Sequence, residues 1–186
     1  MKLIWSVAGA VALGLLPVSA VLVPGATIPL PSSTAATEPD LAGVVLHDAL
    51  IPFVIQDSLR RVVCRGRLQD RVVRSNQTGL LHFYYRIRGD RRRQRGRIRA
   101  TMTLSFGLDT LSVGYRLDGL GAVSPTSATR SADTVQFDFK DPLLSCSAES
   151  RFFFIKTDAK NFGPGQTALV LSSGQSVTLN TVAPAP

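Results

Sequence analysis

Between residues 97 and 106 the chain alternates without a break. Ile98, Ala100, Met102, Leu104 and Phe106 take turns with Arg97, Arg99, Thr101, Thr103 and Ser105. A period of two marks a strand with one buried face. It predicts Met102 and Leu104 in a core and Thr101 and Thr103 on the opposite face. Leu111, Val113, Tyr115 and Leu117 alternate in the same way, as do Val135, Phe137 and Phe139. Leu81, Phe83, Tyr85 and Ile87 share one face, against His82, Tyr84, Arg86 and Arg88.

Further strands are expected at residues 52–56, 59–67, 68–74, 151–157, 167–171 and 176–181. Turn pairs separate them, among them Ser75-Asn76, Gly89-Asp90, Asp118-Gly119 and Ser173-Gly174. Past the N-terminal segment no long stretch repeats every 3.6 residues, and the one helical turn expected is short, at residues 43–49. The pattern predicts an all-β fold, an antiparallel β-sandwich of roughly 8–10 strands, preceded by an N-terminal signal segment.

That segment has its own logic. Lys2 precedes an apolar run from Leu3 to Leu16, followed by Pro17-Val18-Ser19-Ala20. A positive start, an apolar middle and small residues before a cut predict a signal peptide at residues 1–20. The alternative is an uncleaved membrane anchor, since Leu3 to Val23 carries no charge and is long enough to span a bilayer. No Cys follows the apolar run, which argues against a bacterial lipoprotein. Residues 21–40 hold Pro24, Pro29, Pro31 and Pro39 with Ser32, Ser33 and Thr34. They predict an extended linker. Residues 41–184 then form a single domain, secreted or held at the cell surface or in the periplasm. The only two cysteines, Cys64 and Cys146, are expected to form a disulfide in such a compartment.

Charge changes the picture in one region only. The chain has a net charge of +8, and 14 of its 17 Arg lie between residues 60 and 99. Six of them, Arg91, Arg92, Arg93, Arg95, Arg97 and Arg99, fall in nine residues. The sequence predicts a hairpin loop there, joining strand 80–88 to strand 97–106, with Arg86 and Arg88 on the same outward side. Guanidinium groups at this density suit bidentate contacts to phosphate, sulfate or carboxylate. The expectation is a non-catalytic binding module whose partners are polyanions: acidic polysaccharide, lipopolysaccharide or extracellular nucleic acid. A membrane is expected as a partner only through an uncleaved signal segment.

Three stretches taken together carry a resemblance. They are Thr78 to Ile87, Pro125 to Asp133 leading into Val135 to Phe139, and Phe154 to Phe162 with Gly165 after it. Over roughly residues 41 to 184 the chain resembles a group of exported bacterial proteins, some with C-terminal sorting tails of the PEP-CTERM kind. The resemblance implies a β-sandwich and no activity. This chain ends at Ala183-Pro184-Ala185-Pro186 without such a tail.

Other chemistry has less support. A structural or surface-matrix domain would use the loop charge only to stay soluble. Phe152, Phe153 and Phe154 predict a central strand covered on both sides, with an exposed aromatic platform for sugar rings as the alternative. The two histidines, His47 and His82, lie in no nucleophile motif and no metal-ligand spacing. His47-Asp48 therefore predicts a turn rather than a catalytic dyad, and no cofactor is called for.

Overall fold

The computed structural model describes residues 19–90, 94–107, 111–140 and 142–186. Two largely antiparallel sheets pack face to face as a sandwich. The expected signal segment lies outside the described residues except for Ser19 and Ala20.

The first sheet has β1 (Ala20–Val21), β8 (Ser112–Arg116), β12 (Phe153–Lys156), β6 (Leu81–Gly89), β5 (Val62–Ser75) and β4 (Gly43–Gln56) in spatial order. The two-residue β3 (Ser32–Ser33) joins β8 in parallel. The second sheet runs β14 (Ser176–Ala185), β13 (Asn161–Leu171), β7 (Arg97–Leu104), β10 (Thr134–Asp138), β9 (Ser127–Ser131) and β2 (Thr27–Pro29). A short β11 (Leu144–Ser145) pairs with β7. The strands outnumber the 8–10 expected because several are two- or three-residue pieces.

Inward-facing side chains fill the gap between the sheets. Phe83, Tyr85, Phe106, Phe137, Phe139 and Phe153 are fully buried. Phe153 meets Phe137 at 4.8 Å and Phe139 edge-on at 5.9 Å, in the offset geometries aromatic quadrupoles favour. The disulfide forms between Cys64, on β5, and Cys146, just past β11, so it joins the two sheets.

Three expectations need correction. Residues 21–40 are not a linker. They contribute β1 and β3 to the first sheet and β2 to the second, with Leu22 fully buried and Leu30 in the core. The prolines only break this lace into short pieces, because a residue without an N–H cannot extend a ladder on both sides. Residues 43–49 are no helical turn but the first half of β4, paired with Asp70 to Ser75.

The third correction concerns β7. Opposite β13, Val170 pairs with Ala100 but Leu171 with Ile98, so one extra residue is inserted at Arg99. A bulge of this kind moves every later side chain to the other face. Thr101 and Thr103 are buried, and Met102 and Leu104 are only half-buried. Ser105 then takes a positive φ of 66°, which turns the chain again and sends Phe106 into the core.

The inverted strand completes a polar row through the middle of the sandwich. Asp70 lies opposite Tyr85 on the first sheet, and Thr103 opposite Thr167 on the second. The Thr167 and Thr181 hydroxyls are 3.1 Å apart. Asp70 Oδ2 accepts the Val182 N–H at 2.9 Å, a bond that ties β5 of the first sheet to β14 of the second. Its carboxyl is fully buried, and desolvation pushes its pKa up to about 6, against the pull of the Val182 bond and of His47 at 3.8 Å.

Two predictions follow from the packing. Leu169→Ala, at a fully buried position, should cost about 2–4 kcal/mol in chemical denaturation, whereas Leu104→Ala should cost under about 1 kcal/mol. Equal costs would contradict the inverted register. The folded state holds the Asp70 proton more tightly than the unfolded chain does. Ionising it therefore costs nothing below about pH 4 and its full penalty above about pH 6. Asp70→Asn keeps an oxygen for Val182 and removes that penalty. It should gain on the wild type by roughly 2 kcal/mol between pH 4 and 7; parallel stability curves would contradict the assignment.

Candidate functional site

The outer face of the first sheet is divided in two. One half lies beneath a strap, residues 34–42, that includes a single 3-10 turn at Pro39–Leu41. There Leu41, Val73, Tyr84, Phe152 and Phe154 form a second small core, and the Tyr84 hydroxyl donates to the Leu41 carbonyl at 3.1 Å. Lys156 holds the strap through Asp40 at 2.7 Å and Glu38 at 3.5 Å. Strand β12 therefore has aromatic side chains buried on both faces, as expected of a central strand. Phe152 and Phe154 do not form an exposed platform for sugars. Phe152 is instead covered by the guanidinium groups of Arg71 and Arg86, 5.1 and 5.6 Å from its ring centre.

The other half is open, and its side chains are basic. On β5, Cys64 and Leu68 point into the core, which leaves Arg65 and Arg67 on the outer face. The register sets Val54 beside Arg65, Pro52 beside Arg67, and Arg88 on the far side of Arg67. Together with Glu149 these residues line a cleft of about 640 Å³. Its floor includes Phe53 and Gly66. A second cleft of about 420 Å³ adjoins it through Arg65 and takes in Arg61, Val62, Gln94 and Arg95.

Some of this charge is already matched. Glu149 pairs with the buried Arg86 and lies 3.6 Å from Arg88. Arg71 pairs with Asp48 at 2.7 Å, and Arg61 with Asp57 at 2.8 Å. Among the described residues Arg65, Arg67 and Arg95 form no ion pair. The two clefts are thus rimmed by guanidinium groups whose donors face solvent.

The loop between the clefts is tightly held at its ends. Gln94 copies a backbone pairing with its side chain, accepting the Arg65 N–H at 2.5 Å and donating to the Arg65 carbonyl at 3.1 Å. Its amide also donates to the carbonyls of Asp90 and Cys146, both at 2.9 Å. Gly96 packs so close to the disulfide that a Cβ there would meet the Val63 carbonyl oxygen at 2.6 Å and Cys146 Sγ at 2.9 Å. At Gly89 a Cβ would come within 2.3 Å of the Cys146 carbonyl oxygen. Gly89 is therefore required by close packing against the turn that carries Cys146.

The six arginines singled out from the sequence do not form one patch. Arg91, Arg92 and Arg93 lie outside the described residues, between Asp90, which lines the first cleft, and Gln94, which lines the second. Arg95 is exposed in the second cleft. Arg97 and Arg99 are exposed on β7, in the other sheet, with Ile98 facing the core between them. They point from the opposite side of the sandwich. The reason is topological: strands 80–88 and 97–106 are not hairpin partners, because β6 belongs to the first sheet and β7 to the second.

Arg65 and Arg67 were missed as site residues. Their parity relative to Cys64 and Leu68 carried the signal, but a supposed break between residues 67 and 68 concealed that β5 is one continuous strand. His47 is no turn residue: it lies on β4 beside Asp70 and 6.0 Å from the Phe162 ring.

Compared with protein-family models, curated proteins and solved structures, the chain finds no match in any of the three. The reading of this face rests on its own geometry.

Proposed function

We propose that the protein is an exported, non-catalytic binding module that holds polyanions on the open half of the first sheet's outer face. The observation that carries this reading is the convergence of Arg65, Arg67 and Arg95, free of ion pairs among the described residues, on two adjoining clefts. A planar guanidinium offers paired N–H donors that match the oxygens of phosphate, sulfate and carboxylate. Arg88 adds a third cation at the first cleft, shared with Glu149. The disulfide and the apolar N-terminal run support export.

Acidic polysaccharide, lipopolysaccharide and extracellular nucleic acid share the required chemistry, repeated anionic groups along a polymer. Such binding gains most of its free energy from release of counterions and depends steeply on salt. The cations are few in number per cleft, which suits sequence-independent contacts.

The test is a salt titration on heparin and on duplex DNA. Replacing Arg65, Arg67 and Arg95 together by Ser should make the slope of log K against log salt on DNA shallower by about 2 to 3. Replacing Arg97 and Arg99 should change it by less than about 1, because they face the other way. Absence of binding at about 50 mM salt, or an unchanged slope in the triple variant, would overturn the proposal. A structural surface-matrix domain would then be the better reading.

A further inference from the structure

The apex of the β4–β5 hairpin combines two features that a soluble polyanion does not explain. The first is a locked turn. Asp57 Oδ1 accepts the backbone N–H groups of Leu59 and Arg61, each at 2.9 Å. Asp57 Oδ2 takes the Arg61 Nε–H at 2.8 Å. The Arg60 N–H closes on the Asp57 carbonyl at 3.0 Å, and Arg60 itself sits at a positive φ of 58°. The acid is thus consumed inside the turn, with its pKa held low by these bonds, and its charge is matched by Arg61.

The second feature is what this turn holds out. Leu59 is 69% exposed at the apex. A lone exposed leucine would call for no explanation. Here Val62 and Val54 are also exposed along the same hairpin, and Arg60, Arg61 and Arg65 stand immediately around them. An apolar point ahead of a collar of guanidinium groups matches the layering of a bilayer interface. Acyl chains would meet the leucine while head-group phosphates meet the arginines. A turn already fixed by Asp57 has little conformational freedom left to lose on docking.

We infer that the hairpin apex docks on an anionic phospholipid surface, with Leu59 entering the acyl boundary and Arg60, Arg61 and Arg65 on the phosphates. This rests on the polyanion reading for its charged part and adds an apolar contact to it. It differs from anchoring by the N-terminal apolar run, since the contact is made by the folded domain.

The experiment exploits the single tryptophan, Trp5. In a Trp5→Phe background, Leu59→Trp places the only indole at the apex. Vesicles of phosphatidylcholine with about 30% phosphatidylglycerol, a composition chosen for its anionic surface potential, should shift its emission to the blue. Pure phosphatidylcholine should leave it unchanged. Leu59→Ser should weaken binding to the anionic vesicles by roughly tenfold while leaving heparin binding and the thermal midpoint as in wild type. An unshifted emission at saturating anionic lipid, or vesicle binding indifferent to Leu59→Ser, would overturn the inference. If heparin is still bound in that case, polyanion binding stands and only membrane docking falls. Loss of heparin binding in the wild type would remove the polyanion reading itself.

Discussion

A sandwich has to be closed where its chain passes from one sheet to the other, and in this protein that closure is the seam around Cys64–Cys146. The disulfide spans 82 residues of sequence and joins β5 of the first sheet to the turn after β11 of the second. A loop of that length lowers the entropy of the unfolded chain by an amount equivalent to roughly 4–5 kcal/mol in the chain-entropy model. Gly96 fits against the sulfurs only because it has no side chain, and Gln94 pairs with both backbone groups of Arg65 beside it. The same seam therefore sets where the crossing leaves β6, where it enters β7, and how the basic residues on either side are disposed.

The surface chemistry follows from that placement. One half of the first sheet's outer face is capped by the strap, which packs Leu41 on Tyr84, Phe152 and Phe154 and is held by Lys156. The other half lies next to the seam and is left open. It carries Arg88, Arg67 and Arg65, with Pro52 and Val54 beside the last two on the edge strand β4. Acids are present, but Glu149, Asp48 and Asp57 are each occupied by particular arginines. The charge is therefore unevenly spread over this face, and Arg65 is shared by both clefts.

Much of the fold was legible in the period-two pattern, because a strand with one wet face has to alternate. Val135 and Phe137 face the core as that pattern predicts, and so do Leu81, Phe83, Tyr85 and Ile87, although His82, Tyr84 and Arg86 on the opposite face are buried too. The pattern failed where the backbone itself departs from regular pleating. The extra residue at Arg99 inverts the faces of Thr101 to Leu104, and a composition of Thr against Met and Leu gives no warning that the threonines will be the buried side. Prolines disguised residues 21–40 as a linker, although Leu22 and Leu30 needed a core to enter. The site was half legible. Arginine density located the region, but topology distributes those arginines between opposite faces of the molecule, and topology is not encoded in local spacing.

The central claim is that anions are held on the first sheet beside the seam and not by the arginines of β7. Backbone and side-chain amide shifts, followed during titration with a short sulfated oligosaccharide, test it most directly. Shifts should concentrate at Val54, Arg65, Arg67, Arg88 and the Gln94 side-chain amide, which all lie at the two clefts. Shifts confined to Arg97, Arg99 and Ser172, whose amide donates to the Arg97 carbonyl on the second sheet, would contradict it.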